Sequence, residues 1–135
     1  MSAEMRIHSG TVRVFVYGSL LPGMSNHGVI EPYVRASEPG RVRGRLIDCG
    51  PYPALLLDGN RLVRGMWMEV AREGLPALDA LEEFLGIEEE NDYERVWIRD
   101  ADHPAVSGWV YVWTEPRGLP EAQGDWWPDV WADKR

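Results

Sequence analysis

Thr11-Val12-Arg13-Val14-Phe15-Val16-Tyr17-Gly18-Ser19-Leu20 is the stretch that decides the fold: β-branched and aromatic residues run without a spacer into a small-residue turn. Residues 12 to 16 have the composition of a buried strand. Gly18 permits backbone angles that set successive N–H groups on one concave side, and such a concavity holds an anion. The junction reads as a strand feeding a binding loop.

Outward from it, glycine and proline recur often enough to imply short strands joined by turns. Pro22-Gly23-Met24-Ser25-Asn26 is a turn-rich loop. Residues 40–48 alternate polar and apolar side chains like one half-exposed strand. Leu55-Leu56-Leu57 leads into Asp58-Gly59-Asn60, which reads as a hairpin turn, and residues 62–70 return with period-two character. Later strands are expected at 94–99 and 108–114. Residues 75–85 read as a helix, with Pro76 in the first turn and Gly86 at the end.

The chain has 135 residues, 44% hydrophobic and 27% charged, which fits a single globular domain over residues 1–135. Residues 116–135 form a Trp-rich C-terminal extension. Trp126, Trp127 and Trp131 there are expected to close the core, with a lid over a cavity mouth or burial in a partner subunit as the other readings. A net charge of -8 argues against a nucleic-acid partner, which normally meets a clustered basic surface. No stretch approaches the roughly 18 consecutive apolar residues of a membrane span, and no signal-peptide pattern opens the chain, so a cytoplasmic protein without a membrane partner is expected. The acidic run 88–92 reads as a solvated loop. Cys49 is the one cysteine and reads as an inert thiol. His8, His27 and His103 lack metal-ligand spacing, so no metal site is expected.

On the predicted helix, at roughly 100° per residue, Leu75, Leu78, Leu81 and Leu85 share one side, and Glu82 lies within about 45° of that stripe's centre. Glu83 points away. A carboxylate facing the core is costly unless paired or solvated in a cavity. Glu82 is therefore either an edge residue or partner of a buried arginine such as Arg95, or a general acid/base whose proton affinity apolar neighbours raise.

Tyr17-Gly18-Ser19-Leu20, Pro22-Gly23, Asn26-His27, Val42-Arg43-Gly44, Tyr52-Pro53-Ala54-Leu55, Leu78-Asp79-Ala80-Leu81-Glu82, Tyr93-Glu94-Arg95 and Trp109-Val110-Tyr111-Val112 occur in that order. As an ordered series from about residue 12 to 114, they resemble the gamma-glutamylcyclotransferase-like (AIG2-like) family. The resemblance implies an α+β fold: a mostly antiparallel, barrel-like mixed sheet with few helices, and a cavity in which the first loop faces the helix glutamate.

The same resemblance implies an enzyme without a cofactor that cyclises a γ-glutamyl amide or amine to 5-oxoproline and frees the amine. The nucleophile is the substrate's own α-amine, so the protein has to hold geometry and move protons. By its match to the family's glutamate, Glu82 is the catalytic general acid/base. Glu83 stands where many relatives have glycine. Tyr17, Gly18, Ser19 and Leu20 are implied to bind substrate through backbone N–H groups, at the α-carboxylate or at the developing oxyanion. Tyr52, Tyr93 and Tyr111 match aromatic positions near the cavity, where each phenol could donate a hydrogen bond.

Ser19 with His27 as its base is the competing nucleophile arrangement, but the Gly-x-Ser-x-Gly elbow is absent and a turn role is preferred. Arg95 is expected to pair with an acid of the helix rather than bind a substrate carboxylate. The expected partner is a small γ-glutamyl molecule, the assembly a monomer or homodimer. The alternative is a silent binding module of the same fold, disfavoured because such a module has no need of an ionisable group among leucines.

Overall fold

The computed structural model describes residues 10–82 and 93–134. The strand at the heart of the sheet is the one that opens the chain, β1 (Thr11–Val16), every residue of which is buried. Its burial throughout follows from its position between β5 (Leu62–Ala71) and β7 (Ser107–Val112). With β2 (Val34–Arg43) and β6 (Glu94–Arg99) at the edges, the five strands run in the order β2-β5-β1-β7-β6. All neighbours are antiparallel except β1 and β7. The result is the mostly antiparallel α+β fold that the resemblance implies, built as an open, curled sheet.

The two polar side chains in β1 are satisfied within the sheet. Thr11 Oγ1 donates to Glu69 Oε1 at 3.0 Å, and Arg13, register partner of Glu69, reaches the Ser107 carbonyl at 3.4 Å. Alternate residues of β1 feed two apolar clusters. Val12, Val14 and Val16 pack with Met68, Val70 and Leu78, while Phe15 packs with Trp67, Val110 and Trp127.

Curling brings the two edges together. The amide of Ala101, just past β6, donates to the Arg41 carbonyl in β2 at 2.7 Å. Beside it the Asp100 carboxylate accepts four N–H groups: Arg41 N (2.9 Å) and Trp67 Nε1 (3.0 Å) on Oδ1, and Asp102 N and His103 N (2.9 Å each) on Oδ2. These bonds hold Asp100 below the usual carboxylate range although its burial works in the other direction.

Three expectations are corrected. Residues 40–48 are not one strand: the chain breaks at Gly44, and β3 (Arg45–Asp48) leaves the main sheet to pair with β4 (Pro53–Leu56). Gly44 has φ +154°, and a Cβ there would stand 2.4 Å from the Leu56 carbonyl oxygen, so the kink requires glycine. Asp58-Gly59-Asn60 consequently does not close a hairpin, since β4 and β5 lie in different sheets. The helix over 75–85 is described only as α2 (Leu75–Leu81), with Glu82 as its C-cap; Glu83 and residues 84–86 lie outside the described residues, as do His8 and the acidic run 88–92. The expected strand at 94–99 is β6, and that at 108–114 is β7, displaced by one or two residues.

A short helix, α1 (His27–Ile30), follows the first loop, and a last one, α3 (Trp127–Asp133), ends the chain. Ala122 N donates to the Leu46 carbonyl and Asp48 N to the Pro120 carbonyl, both at 2.8 Å, which lays the C-terminal segment along β3. Trp127 is fully buried and Trp126 stacks under the Arg64 guanidinium, so this segment closes the core. No helix among the described residues is long and apolar enough to cross a membrane.

Candidate active site

The turn after β1 and the end of α2 open on one cavity of about 230 Å³. Its walls contain Tyr17, Gly18, Ser19 and Leu20 from the loop, Tyr52 and Pro53 at the start of β4, Glu82 from the helix cap, and Tyr93 and Tyr111 from one end of the β6–β7 pair. All eight residues singled out from the sequence thus border the same space. Phe15, Val16, Asn26 and Leu81 complete the lining.

The loop is held by its own backbone. Leu21 N donates to the Gly18 carbonyl at 3.0 Å and Asn26 N to the Ser19 carbonyl at 2.8 Å. Asn26 Nδ2 donates to Ser19 Oγ at 3.0 Å. No carbonyl among the described residues accepts from the amides of Gly18, Ser19 or Leu20, which leaves three donors beside the cavity. The reason for glycine at 18 differs from the one expected: its φ is not positive, but a Cβ would stand 2.6 Å from Pro53 Cγ. Close packing of β4's first residue against the loop, not left-handed backbone, demands it.

Glu82 lines the cavity from the C-cap of α2, with φ −88° and ψ 3°. Its amide bonds to the Leu78 carbonyl at 3.0 Å, and its carbonyl accepts the Tyr93 amide at 3.2 Å, so helix and β6 are tied at this residue. The side chain is half-buried, and its charge falls on the phenols of Tyr17, Tyr93 and Tyr111. Burial foremost, with Glu82 adding to it, pushes all three phenols up, so they keep their protons at neutral pH.

Those protons go to protein acceptors, not into the cavity as donors. Tyr17 Oη donates to the Tyr111 carbonyl (2.6 Å) while accepting Leu55 N, and Tyr93 Oη donates to the Pro53 carbonyl (3.0 Å). Tyr111 Oη donates to Asp79 Oδ1 (2.7 Å). Tyr52 is 38% exposed and forms part of the rim. Arg95 pairs with a helix acid as expected, its Nε 3.5 Å from Asp79 Oδ1. The serine arrangement is not assembled: His27 Nδ1 donates to the Leu20 carbonyl at 2.8 Å, away from Ser19 Oγ. Among the described residues no group of three or more His, Cys, Asp or Glu is placed to hold a metal ion.

Asp79 was not among the site residues read from the sequence. The available signal was its spacing, one turn before Glu82, which puts both acids on neighbouring faces of α2.

A cavity lined by a glutamate and a Tyr-Gly-Ser-Leu turn, on a curled sheet of this order, defines a class. Residues 14–128 match the gamma-glutamyl cyclotransferase, AIG2-like family, and the chain belongs to it. Among individual relatives, the gamma-L-glutamyl-butirosin B gamma-glutamyl cyclotransferase of Niallia circulans is 35% identical over 116 residues, covering 84% of this chain and 74% of its own. The crystal structure of YkqA from Bacillus subtilis superposes with a TM-score of 0.70 at 17% identity, over 93% of this chain but 43% of that one, so this chain spans less than half its length. An AIG2-like protein from Mus musculus superposes with a TM-score of 0.64 at 23% identity, over 84% of this chain and 90% of the mouse chain.

Proposed function

We propose that this protein is a cofactor-independent γ-glutamyl cyclotransferase that converts a γ-glutamyl amide to 5-oxoproline and the free amine, with Glu82 as general acid/base. The observation that carries this reading is the shared cavity: a carboxylic side chain and three amides with no carbonyl partner among the described residues border one space in a chain of this family.

Glu82 takes a proton from the substrate's α-ammonium, and the exposed lone pair attacks the γ-carbonyl carbon. The new N–C bond forms as the carbonyl oxygen takes up the electron pair, stabilised by N–H donors. Collapse expels the leaving nitrogen, which receives the proton back from Glu82; the two protons lost by the α-nitrogen end on the released amine. The amides of Gly18, Ser19 and Leu20 supply donors for the oxyanion or the α-carboxylate, and the three tyrosines supply rigid walls that exclude water.

At about 230 Å³ the cavity lies below the range that encloses a drug-sized ligand. It fits a glutamyl group with the leaving amine passing the rim at Tyr52. By analogy with the butirosin relative, a bulky amine is an admissible leaving group. The test is to incubate the protein with a panel of γ-glutamyl dipeptides, simple amides and an aminoglycoside conjugate while quantifying 5-oxoproline. Release from at least one, reduced by about 10²–10⁴-fold in Glu82→Gln with the thermal midpoint retained, supports the assignment. Binding without release from any member assigns a silent binding module instead.

A further inference from the structure

Tyr111 has one phenolic proton, and it is committed to Asp79 Oδ1 at 2.7 Å. Burial first, and then the Asp79 hydrogen bond and charge, keep that proton in place. Toward the cavity that Tyr111 borders, its oxygen therefore offers lone pairs only. Glu82 lines the same cavity, and its charge acts on this phenol, so the cavity wall carries two acceptors. The group of a γ-glutamyl substrate that only donates, and so matches this pair of acceptors, is the α-ammonium.

Asp79 is itself held. Arg95, the cross-strand partner of Tyr111, places Nε 3.5 Å from Asp79 Oδ1 and its guanidinium 4.8 Å over the Trp109 ring. The arginine offsets the Asp79 charge, which leaves Asp79 to serve as the acceptor of the Tyr111 proton. Asp79 precedes Glu82 by three residues on α2, and one helical turn thus carries both the acid/base and the anchor of the phenol facing it.

We infer that Asp79 is a positioning residue: by accepting the Tyr111 proton it fixes the phenol as a hydrogen-bond acceptor for the substrate α-amine, orienting that nitrogen between Tyr111 and Glu82. The inference rests on the cyclotransferase reading and extends it. An ordinary structural pair between α2 and β6 would bind Arg95 equally well but would be blind to whether the ligand carries an amine.

That difference is the test. In the Glu82→Gln background, which keeps an acceptor but stops turnover, calorimetry compares two ligands. One is the γ-glutamyl amide from the panel that the wild type turns over fastest; the other is its glutaric monoamide counterpart, which lacks only the α-amine. Adding Asp79→Asn is expected to weaken the amine-bearing ligand about 10- to 100-fold and leave the glutaric ligand within about twofold. Tyr111→Phe should do the same. In otherwise wild-type protein, each single change should lower kcat/KM, and the double variant should be no worse than the poorer single.

Equal weakening of both ligands, no weakening of either, or additive losses in the double variant overturns the inference. Should Asp79→Asn fail to fold, Tyr111→Phe carries the same two-ligand comparison alone. A wild-type chain that releases 5-oxoproline from no panel member overturns the functional reading, and this inference with it.

Discussion

The carbonyl of Glu82 accepts the amide of Tyr93 at 3.2 Å, so the residue that ends α2 also anchors the start of β6. This bond joins the helix and β6 walls of the cavity at Glu82. The Tyr93 phenol is then fixed by the Pro53 carbonyl, and Pro53 in turn packs on Gly18. Helix cap, β6, β4 and the first loop are therefore linked in series along the site, which is the rigidity that a near-attack geometry requires.

Ser19→Ala should retain cyclotransferase activity within about tenfold, because Ser19 Oγ contacts Asn26 Nδ2 and no base reaches it. Loss of a true nucleophile costs on the order of 10⁶ in kcat. Steady-state release of 5-oxoproline separates the two outcomes.

Gly18→Ala places a Cβ 2.6 Å from Pro53 Cγ and 2.7 Å from Cδ. The loop or β4 has to shift, at a cost of about 1–3 kcal/mol. Chemical denaturation should show that loss, and KM should rise because the displaced amides border the site.

Asp100→Asn replaces two acceptor oxygens by one acceptor and one donor, where four N–H groups converge. The expected loss is about 2–4 kcal/mol at neutral pH. Because the folded carboxyl lies below its unfolded value of about 3.9, its stabilisation is fully present above that pH and disappears as pH falls through the lower folded value. The gap between wild type and variant in denaturation midpoints should hold from pH 7 to about 5 and narrow below about 4; a gap that widens on acidification contradicts this account.

Trp127→Ala empties a fully buried site shared with Phe15, Val110 and Val130, and should cost about 3–5 kcal/mol. Trp127→Phe should cost less. It keeps an aromatic ring and removes an indole N–H for which no acceptor exists among the described residues. Thermal denaturation of the two variants gives the order.

Some of the cavity could be read from local pattern. The sheet's central strand announces itself in Val12 to Val16 because a strand buried on both faces is rich in β-branched and aromatic side chains, with Arg13 the one polar exception. Glu82 stands out as an acid near an apolar stripe, but the wheel does not show that α2 ends there, at its C-cap. The break at Gly44 was missed because alternation continues across it, and only the approach of Leu56 reveals why glycine is there.

From the amino-acid sequence alone came the buried first strand, the turn that follows it, the short helix with its acid, and the ordered series of residues that mark the family. Those depend on neighbours a few positions apart, where periodicity and steric preference act. The tertiary structure decided which strands pair, where the edges of the curled sheet meet near Asp100, and which atom takes each phenolic proton. Such choices are made by contacts between distant segments, such as Tyr111 with Asp79 and Asp100 with Arg41, whose energies exist only once the chain has folded.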